Sequence, residues 1–252
     1  MVRRSTGRRA AGVLLVVAIA AVVVVAALAA SAAAYLWYSQ EGTQQTRTYS
    51  FVGFISLSVG SALKVDVIRS NYYSIAIAGG EKLLNVLEVA QNGSTLTIAA
   101  KPGAPMIGFK SAEVTITMPQ LESIRFSGAT SGNAQGFNGG GPLAVTLSGA
   151  SSLVMTNVQL GNVTLDLSGA SSFTSTGSAN GLVSTASGAS SLNLANLTVN
   201  NANVRLDGAS HAAIDANGRL DATLTGASSL QYSGSPTLGN ISSSGASSVT
   251  KR

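Results

Sequence analysis

The segment Leu143-Ala144-Val145-Thr146-Leu147-Ser148-Gly149-Ala150-Ser151-Ser152-Leu153 decides the fold, because the five-residue phrase Ser148–Ser152 recurs along the chain. The phrase reads Ser-Gly-Ala-Ser-Ser or a close variant, and its seven copies are Ser127–Ser131, Ser148–Ser152, Ser168–Ser172, Ser187–Ser191, Asp207–His211, Thr225–Ser229 and Ser244–Ser248. Successive glycines of the phrase are 21, 20, 19, 20, 18 and 19 residues apart. A period near 20 residues indicates a solenoid, in which each repeat forms one rung.

Each repeat contains two apolar runs on either side of the Gly-Ala pair. In the second copy, Leu143, Val145 and Leu147 precede Gly149, and Leu153 follows it. Alternation with a period of two is typical of strands that have one buried and one exposed face. We expect the Gly-Ala pair to form a corner in which glycine takes a positive φ and alanine points inward, where a tight bend leaves little room.

These features predict an all-β fold, a β-solenoid of the single-stranded parallel β-helix type with about seven rungs of about 20 residues. Stacked rungs pair their backbones at a spacing of ~4.8 Å and share a continuous core. The predicted corner glycines are Gly128, Gly149, Gly169, Gly188, Gly208, Gly226 and Gly245. We assign the repeats to residues 120–252.

The beginning of the chain has the pattern of a membrane anchor. Residues 10–38 contain no charged side chain and are long enough to cross the ~30 Å hydrocarbon core as a helix. Four arginines lie in residues 1–9, so the positive-inside rule places this tail in the cytoplasm and everything after residue 39 outside it. We therefore predict a basic cytoplasmic tail at 1–9, a single-pass signal-anchor helix at 10–38 and a polar spacer at 39–48.

A cleaved secretory signal is the alternative interpretation of the same segment. Small residues at Ala30-Ser31-Ala32 and at Ala32-Ala33-Ala34 would fit a signal-peptidase site, although the apolar run exceeds the usual ~7–15 residues of a signal. Both interpretations export the rest of the chain, which we therefore place in an extracytoplasmic compartment.

Composition excludes several classes of function. The net charge is +5, but four of the fifteen Lys and Arg lie in the tail, so eleven remain in the exported part against ten Asp and Glu. This balance leaves no electrostatic footprint for nucleic acid. The chain has no cysteine, which excludes disulfides, cysteine metal sites and a thiol nucleophile.

Residues 49–119 form a different, β-rich module. Its predicted strands are 50–58, 62–68, 73–78, 86–89, 95–99 and 113–118, with Asn92-Gly93 as a hairpin turn and 83–87 as an alternative single helical turn. Pro119 ends this module because proline cannot donate to a strand ladder. The next strand, 123–127, already enters the first repeat, so we expect one continuous β structure.

Several segments together resemble a known family. They are Phe51-x-x-Phe54-x-x-Leu57-x-Val59, the strands 63–67, 73–77 and 93–98, and Val114–Pro119 followed by Ser127-Gly128-Ala129. Over roughly residues 49–250 the chain is similar to the putative auto-transporter adhesin, head GIN domain family. The resemblance implies an exported bacterial or archaeal protein with a β-solenoid head, and it brings no catalytic residues to this chain.

The span 205–221 is the only concentration of charge in the repeats, with Arg205, Asp207, Asp215, Arg219 and Asp221 around His211. Its plain interpretation is a solvated patch of weak ion pairs. The alternative is the site of a carbohydrate-active enzyme, a polysaccharide lyase or hydrolase, since such enzymes also use parallel β-helices and need converging carboxylates or a base. No metal-ligand spacing and no phosphate-binding motif occurs, so we predict no metal, no cofactor and no catalytic residue.

Two hypotheses for function follow. The first is a membrane-anchored, adhesin-like surface protein without enzymatic activity, which presents Ser/Thr/Asn-rich solenoid faces to a cell-envelope, glycan or protein partner. The second is the enzyme just described. A flat, uncharged face would favour the first hypothesis, and a groove with converging Asp and Arg would favour the second. Four sequons are candidate N-glycosylation sites, at Asn92, Asn162, Asn196 and Asn240.

Overall fold

The structure is a computed structural model that describes residues 42–104, 106 and 109–252. The predicted cytoplasmic tail and signal-anchor helix lie outside these residues. Within the described part of the chain, no helix combines the length and the apolar character needed to cross a bilayer.

The described residues contain eighteen strands and one short helix. In chain order they are β1 (Gln44–Tyr49), β2 (Ser56–Val59), β3 (Lys64–Arg69), β4 (Ser74–Gly80), α1 (Glu81–Val86), β5 (Leu87–Asn92), β6 (Thr95–Ala100), β7 (Glu113–Met118), β8 (Ser123–Phe126), β9 (Ser131–Gln135), β10 (Leu143–Leu147), β11 (Ser152–Leu167), β12 (Ser172–Ala186), β13 (Ser191–Leu206), β14 (His211–Ala216), β15 (Arg219–Leu224), β16 (Ser229–Ser233), β17 (Thr237–Ser243) and β18 (Ser248–Lys251). This is the all-β solenoid that the repeat predicts, and six turns separate its seven corner glycines.

Each rung has a first side that leads into the corner and a second side that leaves it. The first side is one parallel ladder. Its strands, in order, are β8, β10, the ends of β11, β12 and β13, then β15 and β17. The second side is also a parallel ladder. Its strands, in order, are β9, the beginnings of β11, β12 and β13, then β14, β16 and β18. A short third side joins them, for example Val158–Leu160 against Gly177–Ala179.

Strands of residues 49–119 belong to the same stack. β2 lies between β6 and β8 on the first side, and β3 lies between β7 and β9 on the second side, all in parallel. The spatial order of these rungs therefore differs from their order in the chain. Antiparallel strands close this end of the stack, with β5 on β6, β4 on β7 and β1 on β4, while α1 buries Leu83 and Leu84 against the core.

Three local elements differ clearly from the sequence-based boundaries. The strand predicted at 50–58 is limited to β2, because residues 50–55 lie outside the strand and Gly53 takes a φ of 75° that interrupts extended backbone. β1 includes Gln44–Thr48, which the sequence pattern assigns to the spacer. An exposed edge strand needs no apolar alternation, and the first three residues of β1 are exposed. The single helical turn that was the alternative at 83–87 is present as α1, and the following strand starts at Leu87.

All seven corner glycines have φ between 74° and 77°. From the second copy onward, the alanine N–H donates to the carbonyl oxygen of the corner glycine one rung below, at 2.7–2.8 Å. A Cβ built on Gly149 or on any later corner glycine would lie 2.5–2.6 Å from that same oxygen. The corner therefore needs glycine both for its backbone conformation and for the close approach of the rung below.

The expectation that the corner alanine points inward is wrong. Ala150 and its equivalents are exposed, and the next residue is buried instead, at Thr130, Ser151, Ser171, Ser190, Ser210 and Ser228. Each of these hydroxyls donates to the carbonyl oxygen three residues earlier, at 2.8–2.9 Å. The hydroxyl thus satisfies a carbonyl that the bend leaves on the inside, which alanine could not do.

Two other serines break the apolar core. Ser175 and Ser184 are 1% and 2% exposed, and their hydroxyls have no hydrogen-bond partner. Ser184 lies between Leu165 and Val204 of the neighbouring rungs, both buried. A buried hydroxyl without a partner destabilises the folded state.

Alanine at the corners should be strongly unfavourable. We expect Gly169→Ala and Gly188→Ala each to lower the free energy of unfolding by about 1–2 kcal/mol from the positive φ, with a further loss from the backbone contact. Gly139→Ala is the control, since Gly139 has no positive φ and no atom within 4 Å of its Cβ position; it should change stability by at most about 0.5 kcal/mol. Equal denaturation midpoints for the three variants would contradict the corner geometry.

The same substitution should have opposite effects at two buried serines of one rung. Ser184→Ala removes an unpartnered hydroxyl and should raise the free energy of unfolding by about 1 kcal/mol. Ser190→Ala removes the hydrogen bond to the Ser187 carbonyl and should lower it by a similar amount, about 1 kcal/mol. Denaturant titration measures both values, and a loss of stability in Ser184→Ala would show that its hydroxyl has a partner.

Candidate functional site

The outward residues of the second side, from β9 to β18, form two regular columns that we call the serine face. The strand register places Ser131, Ser152, Ser172, Ser191, His211, Ser229 and Ser248 in the first column. It places Asn133, Val154, Thr174, Asn193, Ala213, Gln231 and Thr250 in the second. The first column is the fifth residue of each Gly-Ala phrase, so the corner repeat fixes the spacing of this face.

The serine face is polar and almost uncharged. None of its fourteen positions is Asp, Glu, Lys or Arg, and its one titratable side chain, His211, contacts Ser229 through Nδ1 and Oγ at 2.7 Å. An open depression of about 530 Å³ near His211 has no ionisable side chain other than the histidine in its lining. A second depression, of about 270 Å³ near Ser131, lies at the end of the face and is also lined by Lys64, Asp66 and Glu113 of the adjoining strands. From β11 to β18 the columns form the open, nearly uncharged surface that favours binding over catalysis, while charged side chains border the face beside β9.

The charged residues of 205–221 do not converge on one site. Arg205, Arg219 and Asp221 lie on the first side, Asp207 lies at a corner and His211 lies on the serine face. Asp215, near the bend to the third side, accepts hydrogen bonds from Thr198 and Ser233 at 2.9 and 3.2 Å. The predicted cluster is therefore spread around the rung.

The two carboxylates with altered acidity are both held ionised. Hydrogen bonds from Arg219, at 2.7 and 2.8 Å, and from the Asn240 N–H lower the pKa of Asp221. The Thr225 hydroxyl and the Gly208 N–H lower the pKa of Asp207. A general acid needs a raised pKa and a partner carboxylate or base nearby, so this geometry gives no acid and base pair. The described residues also contain no group of three His, Asp or Glu arranged to hold a metal ion.

The sequons and the loops lie at the surface. Asn92, Asn162, Asn196 and Asn240 are all exposed, as an acceptor of N-glycans must be. Asn92 ends β5 at the hairpin, while the Asn240 N–H donates to Asp221 at 2.7 Å. Gly139–Gly141 forms a loop between β9 and β10.

Sequence reasoning missed a second set of structural side chains, at the bend between the third and first sides. Asn201 and Asn217 accept hydrogen bonds there from the backbone N–H groups of Arg219 and Ser235 in the next rung, at 2.9 and 3.3 Å. The signal was present as asparagine or glycine at each such bend: Gly161-Asn162, Asn180-Gly181, Asn200-Asn201 and Asn217-Gly218. The Asn and Gly pairs are harder to recognise as a repeat than the Gly-Ala corners, because the loops before them vary in length.

The fold is shared with solved bacterial proteins. A "putative adhesin" of Bacteroides fragilis is 20% identical and superposes with a TM-score of 0.77, covering 83% of this chain and 97% of its own. A "putative lipid binding protein" of Parabacteroides distasonis is 15% identical with a TM-score of 0.65, covering 84% and 97%. A "putative adhesin" of the same organism is 18% identical with a TM-score of 0.64, covering 84% and 98%. At these identities the likeness shows the fold alone.

The sequence itself matches a family over most of its length. No protein of curated function matches the chain. The family described as "putative auto-transporter adhesin, head GIN domain" matches residues 53–236, which confirms the resemblance seen in the motifs. With a matched region of this extent, supported by the solenoid and its stacked Gly-Ala corners, the chain belongs to the putative auto-transporter adhesin, head GIN domain family.

Proposed function

We propose that the chain is a membrane-anchored, extracytoplasmic, adhesin-like protein without enzymatic activity, and that its serine face binds a cell-envelope, glycan or protein partner. The observation that carries the proposal is the regular, uncharged pair of columns on the second side. Family membership and the adhesin names of two similar structures agree with this class of function.

Most polar groups of the serine face are free to bind a partner. Among the described residues, the hydroxyls of Ser152, Ser172 and Ser191 make no hydrogen bond within the chain, and the same is true of Thr174 and Asn193. Hydroxyls and amides both donate and accept, so they suit a partner rich in hydroxyl or amide groups. The absence of charge favours a neutral polymer over a charged one.

The face is also rigid and repetitive. Each column residue lies in a parallel strand paired on both sides, apart from the terminal rungs, so its position is fixed before binding. Neighbouring equivalent side chains are ~4.8 Å apart, the spacing of paired strands. A preorganised row of weak contacts would bind a repeating partner through many sites at once.

The predicted membrane anchor would determine on which side of the membrane the serine face lies. Residues 10–38 would hold the chain in the membrane with residues 1–9 in the cytoplasm, supported by the long apolar run and the arginines before it. The described chain enters the solenoid at its closed end, through β1, and the rungs of the serine face follow from β9 onward. The solenoid would then present its serine face outside the cytoplasm.

A charge placed in the second column should disrupt binding. We expect Thr174→Lys to weaken binding by about tenfold or more, because a lysine there stands in the neutral surface and must be desolvated by the partner. Thr185→Lys is the matched control, since Thr185 lies on the same strand, β12, but faces outward from the first side.

Binding of the full chain is measured on immobilised glycans and isolated cell-wall polymers, in a detergent without a sugar headgroup. We expect wild type and Thr185→Lys to bind alike and Thr174→Lys to bind weakly. Equal binding by the two variants, or a loss confined to Thr185→Lys, would contradict the assignment of the serine face.

A further inference from the structure

A second concave surface lies on the first side, away from the serine face. It is a groove of about 420 Å³ on the outward surface of β11, β12 and β13, bordered by β15. The strand register arranges its six defining positions as two rows of three, Asn162, Gly181 and Asn201 in one row and Thr164, Val183 and Asn203 in the other. We call it the Gly181 groove.

The groove exists because Gly181 has no side chain. The Asn162 amide leans toward this position, with its Oδ1 2.8 Å from where a Cβ on Gly181 would lie, and Val183 beside it is 53% exposed. Gly181 and Val183 therefore form the floor, and the Asn162 amide faces it from one wall. The walls are the rungs on either side, ~9.5 Å apart because they are separated by two strand spacings. The volume falls within the ~300–1,000 Å³ typical of small-molecule sites.

The walls carry polar groups without partners. In the described residues, the amides of Asn162 and Asn203 and the hydroxyl of Thr164 make no hydrogen bond within the chain. Asn201 uses its Oδ1 to accept from the Arg219 N–H, which leaves its amide NH2 group free. The groove therefore offers donors and acceptors on both walls above an aliphatic floor.

The charged end of the groove is already neutralised. Both oxygens of Asp221 accept from the Arg219 guanidinium, and Oδ1 also accepts from the Asn240 N–H. Neither an anion nor a cation would find an unpaired counter-charge there. The ligand should therefore be neutral.

We propose that the Gly181 groove binds one ring of a neutral sugar, with its C–H face on Val183 and its hydroxyls on the wall amides. Sugar hydroxyls donate and accept, as asparagine amides do. The floor runs only from residue 181 to 183, ~7 Å along the strand, which suits a single ring. An extended peptide would need a free strand edge, and the backbones of β12 and β13 are paired on both sides.

This site does not rest on the proposed role of the serine face, because the two surfaces lie on different sides of the rung. Thr174→Lys should leave sugar binding at the Gly181 groove unchanged. The polymer-binding assay of the serine face is repeated with a saturating methyl glycoside, which occupies the groove. Under that condition, polymer binding that persists in Thr174→Lys contradicts only the serine-face assignment, and glycoside binding that persists in Gly181→Asn contradicts only the groove.

The test is saturation-transfer NMR on the full chain, in a detergent without a sugar headgroup. The probes are methyl β-D-glucopyranoside, methyl β-D-galactopyranoside and methyl α-D-mannopyranoside. We expect transfer from wild type to the ring protons of at least one glycoside. No transfer to any of the three would overturn the proposal.

Gly181→Asn fills the floor with the side chain already present on both neighbouring rungs, and it should abolish the transfer. Gly139→Asn is the control, because Gly139 lies in a loop with nothing within 4 Å of its Cβ position. Asn203→Ala provides a second variant that removes an exposed, unpartnered amide, and it should weaken binding about tenfold. Transfer that persists in Gly181→Asn, or affinity that is unchanged in Asn203→Ala, would overturn the proposal.

Discussion

From the second copy onward, the corner alanine N–H donates to the corner glycine carbonyl one rung below, and this hydrogen bond is the interaction on which the rest of the structure depends. It carries the parallel ladder through the bend, so the first and second sides stay in register from rung to rung. The ladder brings successive corners so close that a Cβ on the glycine would meet the oxygen below. Glycine at each corner is thus required by the neighbouring rung as much as by its own φ.

The five-residue phrase that forms the corner contains one serine with a structural role and one that lies on the proposed binding surface. Its fourth residue, such as Ser171, is buried and bonds the carbonyl of Ser168 across the bend. Its fifth residue, such as Ser172, points outward with a free hydroxyl in the serine face. Because side chains alternate along a strand, a fixed corner sets both positions at once. The binding surface therefore inherits its regularity from the fold.

The solenoid, its period and the corner glycines could be predicted from the sequence because the motif occurs seven times. A copy with variant residues, such as Asp207–His211, is still identified by its spacing from the other copies. The prediction that the corner alanine points inward was wrong. The spacing of the Gly-Ala pairs does not indicate that the bend leaves a backbone carbonyl inside, or that the hydroxyl of the next residue must donate a hydrogen bond to it. The spatial insertion of β2 and β3 between later strands was not visible, since it depends on long-range pairing. The Gly181 groove was missed for the same reason: it arises where a glycine aligns with asparagines 19 and 20 residues away.

Amide hydrogen exchange at Ala170, Ala189 and Ala209 tests the stacked corners most directly. Their methyl groups are exposed, but each N–H donates to the glycine carbonyl of the rung below at 2.7–2.8 Å. The stacked-corner account predicts slow exchange at all three, similar to that of the neighbouring strands and far slower than that of the loop amide of Gly139. Exchange at the corner alanines as fast as at Gly139 would contradict it.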